Sequence, residues 1–211
     1  PGQSSERMPS EDPWGVSRAA KTPVVIAPDG SLRISTCTRP TYARTEQILA
    51  IEGDLQVQRL AWRVFGRPAA HRKESQPSMA QLRGSARVVI AKPVSRTFHQ
   101  VEICNQVLLV REDSVTAFAG TLEYEHTYLP MNEDITMLQL RGTGSVVLTL
   151  EQGLSQLSVH REQPVQIKPS ALIGWIGDVV VIAGSTLSQG LGEGFACLCL
   201  RGEGTLLTTF G

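Results

Sequence analysis

Ala50-Ile51-Glu52-Gly53-Asp54-Leu55-Gln56-Val57 returns twice further along the chain, as Ala117-Phe118-Ala119-Gly120-Thr121-Leu122-Glu123-Tyr124 and as Gly174-Trp175-Ile176-Gly177-Asp178-Val179-Val180-Val181. A second phrase follows each copy: Leu82-Arg83-Gly84, Leu140-Arg141-Gly142 and Leu200-Arg201-Gly202. Every copy of it leads into a β-rich run, at Val88-Val89-Ile90, Val146-Val147-Leu148 and Leu206-Leu207-Thr208. A fixed order of phrases at a spacing of roughly sixty residues predicts three copies of one structural unit.

The parts between the phrases can be laid over one another. Val24-Val25-Ile26 is followed by a turn at Pro28-Asp29-Gly30 and a run at Ser31-Leu32-Arg33-Ile34-Ser35. Its counterparts are Thr97-Phe98-His99-Gln100-Val101-Glu102-Ile103 after Pro93, and Leu154-Ser155-Gln156-Leu157-Ser158-Val159 after Glu151-Gln152-Gly153. Alternating apolar and polar residues predict half-buried antiparallel strands. A polar corner then closes each early part, at Arg44-Thr45-Glu46, Arg111-Glu112-Asp113 and Lys168-Pro169-Ser170. Gly53, Gly120 and Gly177 lie between apolar residues, which predicts a bulge, bend or close backbone approach once per unit. The glycine after each Leu-Arg pair predicts a further tight turn. Gly204-Thr205-Leu206-Leu207-Thr208 repeats a unit's opening strand with no unit behind it, so it is expected to pair back into the third unit or swap to a neighbour.

These phrases divide the chain into a disordered lead-in at 1–21 and one β body at 22–211, with repeats of about 22–87, 88–145 and 146–211. The lead-in is rich in Ser, Pro, Glu and Arg, without periodicity. Its Trp14 reads either as docked on the body or as an exposed tail residue. Residues 183–194 form a Gly/Ser-rich loop, and Leu60, Ala61 and Val64 allow a short helix over 57–65.

Composition excludes several functions. Lysine and arginine total 20, as do aspartate and glutamate, so no global field draws nucleic acid or an anionic membrane. An apolar fraction of 41% with 19% charged residues suits a soluble globular protein of 211 residues. No apolar run reaches membrane-spanning length, although a peripheral membrane link stays open. The four cysteines, at 37, 104, 197 and 199, form no Cys-x-x-Cys pair. Cys197 and Cys199 read as small hydrophobes on one strand face, compatible with a reducing, cytoplasmic compartment.

The phrases Leu140-Arg141-Gly142-Thr143-Gly144-Ser145-Val146-Val147-Leu148, Leu172-Ile173-Gly174-Trp175, Gly192-Glu193-Gly194-Phe195 and Leu200-Arg201-Gly202-Glu203-Gly204-Thr205-Leu206-Leu207 form a specific combination. Together they resemble the altered-inheritance-of-mitochondria family, number twenty-four, which is grouped with TRAP-like β proteins. The resemblance covers about 82–211 and extends through the repeat to Val24. It implies an all-β fold, a triplicated TRAP-like β-sandwich related to the double-stranded β-helix. It further implies a non-enzymatic role, since mitochondrial members look like organisers of inner-membrane architecture, and it carries no catalytic residues. The basic segment 59–87 and the lead-in depart from the family's compact members.

Catalytic chemistry finds little purchase. A cupin-like metal site needs a close His-x-His and a Glu on neighbouring strands with a further His, whereas His71, His99, His126 and His160 are isolated. In Glu123-Tyr124-Glu125-His126 the two acids share one strand face and His126 points the other way, which reads as a solvated edge. There is no Gly-x-Ser-x-Gly elbow, and Gly190-Leu191-Gly192-Glu193-Gly194 lacks the Lys-Ser/Thr of a phosphate loop. No cofactor is expected. Nucleic acid is a disfavoured alternative, resting on an anion patch of Arg59, Arg63, Arg67, Arg72 and Lys73; against it, the aromatics there are few, Trp62 and Phe65, and both are apolar enough to be core. The favoured reading is a scaffold, assembly or ligand-binding accessory module that self-associates or takes a protein partner. Its structural residues are Gly53, Gly120, Gly177, Arg83, Arg141 and Arg201, the arginines either pairing with acids of adjacent copies or lying exposed on turns.

Overall fold

The structure, a computed structural model, describes residues 23–37, 39–64, 67–68, 79–130, 132–183 and 197–209. The lead-in with Trp14, Arg72 and Lys73 of the anion patch, and the Gly/Ser-rich loop from 184 on lie outside the described residues. What is described is almost entirely strand: β1 (Val24–Ile26), β2 (Leu32–Ser35), β3 (Thr41–Arg44), β4 (Ile48–Arg59), β5 (Arg63–Val64), β6 (Arg67–Pro68) and β7 (Met79–Ile90) come first. Then follow β8 (Thr97–Arg111), β9 (Val115–Leu129), β10 (Asn132–Leu150), β11 (Leu154–Val159), β12 (Val165–Ile167), β13 (Leu172–Ala183) and β14 (Leu198–Thr209). The all-β class expected from the sequence is the class observed.

Every strand pair is antiparallel, and all but β5 and β6 join one sheet. Its main path runs β1-β2-β7-β3-β9-β10-β8-β13-β14-β11, with β4 beside β7 and β12 beside β14. The polar corners are single 3-10 turns, Thr45–Gln47, Glu112–Ser114 and Pro169–Ala171, each separating a strand from the long strand after it. Pro169 sits in the first turn, where its missing N–H costs nothing.

Three long ribbons, β4–β7, β9–β10 and β13–β14, carry glycine at matching places. In the second, Gly120 faces Gly144 and Gly142 faces Leu122. Gly53 faces Ala86 and Gly84 faces Leu55 in the first, while Gly177 faces Gly204 and Gly202 faces Val179 in the third. Gly120 and Gly142 have φ of 125° and 128°, a region L side chains rarely adopt. A Cβ on Gly120 would also stand 2.5 Å from the Thr143 carbonyl oxygen and 2.7 Å from the Gly144 Cα. The strands therefore approach too closely, and bend too sharply, for any side chain at that point.

This corrects the expectation for the Leu-Arg-Gly glycines. Gly84, Gly142 and Gly202 lie inside β7, β10 and β14 instead of ending them in turns. The Val-Val-Ile runs are likewise the second halves of those same strands. Val88 and Ile90 pair back onto Ile34 and Leu32 of β2, and Leu206 and Leu207 onto Leu157 and Gln156 of β11. The seams expected at 87/88 and 145/146 accordingly fall within unbroken strands. The closing segment pairs back, as one of the two expected outcomes had it. No helix forms over 57–64: Val57–Arg59 belong to β4, and Arg63–Val64 to the small β5–β6 ribbon. Arginines spaced every four residues mimic a helix face, but strand pairing with β7 decides the conformation.

β7 and β14 are exposed around the Arg-Gly of the repeated phrase and buried towards both ends, while β10 is buried on either side of its Arg-Gly but begins exposed at Glu133 and Asp134. The ends feed three apolar clusters. One holds Leu32, Ile34, Leu82, Val88 and Ile90; the next Leu108, Val110, Phe118, Leu138, Leu140 and Val146; the last Met137, Leu172, Trp175, Leu200 and Leu206.

Candidate functional site

The corner between β8 and β9 buries charge. Glu112 opens the 3-10 turn and is 6% exposed, and its Oε2 is enclosed without a hydrogen-bond partner. Burial pushes its carboxyl above the ordinary value of 4.5; Arg44 draws it back down and Asp113 adds to the rise. Arg44, itself buried at the end of β3, donates from Nε to the Val115 carbonyl at 2.6 Å and from Nη2 to the Glu112 carbonyl at 2.6 Å. Its guanidinium therefore ties β3 to the turn through backbone acceptors, while the Glu112 side chain faces inward.

His126 of β9 lies on the other side of that carboxyl. Its Nε2 is 3.8 Å from Glu112 Oε1. Nδ1 accepts the Arg63 backbone N–H at 3.3 Å, which leaves the ring proton of the neutral imidazole on Nε2, towards Glu112. Trp62 stacks on the imidazole with centroids 4.0 Å apart, and Tyr124 meets its edge at 6.0 Å. The solvated edge expected for His126 is thus overturned. Alternation does turn His126 away from Glu123 and Glu125, as the sequence indicated, but the face it turns to is closed by the segment after β4. Its acidic partner lies at 112, beyond the reach of local pattern reading. Trp62 caps the corner.

A groove of about 550 Å³ opens beside this corner, lined by Tyr42, Arg63, Tyr124, Gln139 and Arg141 among others. Tyr42 and Tyr124 line it, backed by the buried Phe118. Tyr42 stacks on Phe118 at 4.5 Å, Tyr124 tilts against both, and the Arg63 guanidinium lies 5.7 Å from the Tyr124 centroid. Burial pushes both tyrosine hydroxyls above their usual range.

The residues singled out from sequence spread over the whole sheet. Gly53, Gly120 and Gly177 sit at equivalent points of the three ribbons, each with positive φ. Arg83, Arg141 and Arg201 are all exposed, on strands and not on turns. Arg83 donates to Gln81 Oε1 at 2.8 and 3.0 Å, and Arg141 lies across from Glu123. Of the anion patch, Arg59 ends β4, Arg63 leans on Tyr124, and Arg67 lies opposite Val64. Trp62, apolar enough to be expected in the core, is buried against His126. Among the described residues no three His, Cys, Asp or Glu side chains gather as metal ligands would. His99 bonds to Thr97 Oγ1, and His160 lies 3.6 Å from Glu203.

The most conspicuous surface is apolar. Leu49, Ile51 and Val57 of β4 are 70%, 51% and 51% exposed. One edge of β4 pairs with β7 along its whole length, and the other edge has no strand beside it among the described residues.

An antiparallel sheet of long, glycine-bent ribbons defines a class of β protein by fold alone. Protein SPYM3_0169 from Streptococcus pyogenes, known from X-ray crystallography, has a similar fold, with a TM-score of 0.61 at 12% identity over 86% of this chain and 87% of that one. The sequence pattern of the family described as mitochondrial biogenesis AIM24 matches residues 31–209, and the chain belongs to that family. No curated protein matches it. Among the described residues no helix is long and apolar enough to cross a membrane.

Proposed function

We propose that the chain is a non-enzymatic assembly module, one that holds copies of itself or a protein partner through its sheet edge. The observation that carries this reading is β4, a twelve-residue strand whose outer edge has no strand beside it among the described residues and whose Leu49 and Ile51 stand exposed. Long apolar edges are guarded in proteins that stay apart and used in proteins that associate. The buried corner supports the same reading, because Arg44 bonds to main-chain carbonyls and Trp62 covers His126, so these groups are spent on fixing the fold. The family description supports a role connected with mitochondrial biogenesis. The cytoplasmic placement expected from the cysteines is kept as a proposal, to be checked by fractionation. RNA binding through 59–87 draws no support from Trp62, which packs on His126.

Native mass spectrometry of protein purified without chelators tests the reading. Bare multiples of the 22.9 kDa chain, or a defined complex with another protein, are expected. A single chain carrying a stoichiometric metal or organic molecule overturns it.

A further inference from the structure

Aligned on Gly53, Gly120 and Gly177, residues 48–51, 115–118 and 172–175 occupy the same place in the three ribbons. The second and third stretches are buried, with Phe118 at 0% and Trp175 at 3% exposure. Ile51, which holds the position of Phe118 and Trp175, is half exposed, and Leu49 and Ala50 are bare beside it. Among the described residues, the cover that two ribbons have is lacking from the first.

That cover is a strand from the preceding part of the chain. β3 pairs with β9 through Thr41↔Ala119, Tyr42↔Phe118 and Ala43↔Ala117. β8 pairs with β13 through Leu108↔Ile176, Leu109↔Trp175 and Val110↔Gly174. The covering strands are themselves equivalent, since Thr41 faces Leu82 in β7 and Leu108 faces Leu140 in β10, the leucines of the repeated Leu-Arg-Gly phrase. Val165 of β12 faces the third of these leucines, Leu200. β12 is therefore the third covering strand, and among the described residues its outer edge has no strand beside it. Ile167 is partly exposed, whereas the residues in its place, Ala43 and Val110, are fully buried.

One uncovered ribbon and one unused covering strand lie at opposite ends of the same arrangement. We propose that β12 of one chain pairs antiparallel with β4 of a second copy, in the register Val165↔Glu52, Gln166↔Ile51 and Ile167↔Ala50. The geometry repeats, between chains, the junction that the chain already makes twice within itself. It is heterologous, with each copy offering one end to each neighbour, so it builds a ring or runs on as a filament. The inference rests on the self-association form of the proposed function and specifies its surface.

Mixed-chain cross-linking tests it, in a background with the exposed Cys37 and Cys104 changed to serine and with Cys197 and Cys199, which lie beside Gln166, changed to alanine. Chains carrying Ile51→Cys are mixed with chains carrying Gln166→Cys and oxidised. A disulfide-linked pair that neither gives alone is expected, with several-fold less from Val57→Cys mixed with Gln166→Cys. In sedimentation, Ile51→Lys should fall to the mass of one chain at concentrations where the wild type is larger, with its melting temperature unchanged. Equal cross-linking at 51 and 57, or an Ile51→Lys variant as large as the wild type, overturns the β4–β12 junction while leaving an assembly role standing. A wild type that is a single chain at every concentration overturns the junction, and one that also carries a stoichiometric metal or organic ligand sinks the proposed function with it.

Discussion

Replacing Gly120 with alanine tests the glycine ribbons most sharply. At φ 125° an L side chain is strained, which costs on the order of 1–3 kcal/mol where the backbone is held. The new Cβ would also sit 2.5 Å from the Thr143 oxygen and 2.7 Å from the Gly144 Cα. Both are main-chain atoms of the paired strand, so β9 and β10 must separate locally, at a further ~1–3 kcal/mol typical of overpacking. The sum, about 2–6 kcal/mol, lowers the melting temperature by about 5–20 °C in a chain of this size. Gly153→Ala is the matched control. That glycine lies in the β10–β11 turn without positive φ, and a Cβ there meets nothing within 4 Å. Its melting temperature should stay within about 2 °C of wild type. Circular dichroism melts of the two variants decide the matter, and equal melting temperatures would refute the reasoning.

Three further outcomes follow from the buried corner. Glu112 holds its proton to a higher pH when folded than when unfolded, so its contribution to stability is full in acid and falls as pH rises above 4.5 towards the folded value. Glu112→Gln should flatten that fall and raise the melting temperature near neutral pH, read from melts at several pH values; an unchanged slope contradicts the assignment. Arg44→Met leaves the Val115 and Glu112 carbonyls buried without this donor, and a loss of about 2–4 kcal/mol in urea unfolding is expected. Trp62→Ala should cost about 3 kcal/mol in the same assay, and a loss under 1 kcal/mol would mean that the stack on His126 does not hold the segment.

The sequence revealed most where backbone demands are absolute. A glycine between apolar residues three times over, at 53, 120 and 177, marks a place where no side chain fits. Arg44, Arg111 and Lys168 likewise marked the corners, because a polar triplet between two apolar runs has to turn. Leu-Arg-Gly misled because a glycine after an exposed arginine reads as a turn, whereas here it is a bend within a strand longer than most. The Glu112–His126 pair was hidden because strand pairing, and not sequence spacing, brings the two together. The bare edge of β4 left a trace: Leu49 and Ile51 stand where Thr116 and Phe118, then Ile173 and Trp175, stand in the other ribbons. Only the topology shows that the first of these stretches lacks a covering strand among the described residues.

Amide hydrogen exchange across residues 48–54, followed as protein concentration rises, tests the assembly account most directly. Residues 115–121, covered by β3 within the chain, serve as the internal standard. The account predicts slow exchange at 115–121 throughout, and exchange at 48–54 that slows towards it as chains associate, with 163–169 slowing in step. Exchange at 48–54 that stays fast at every concentration, or slows without any change at 163–169, would contradict it.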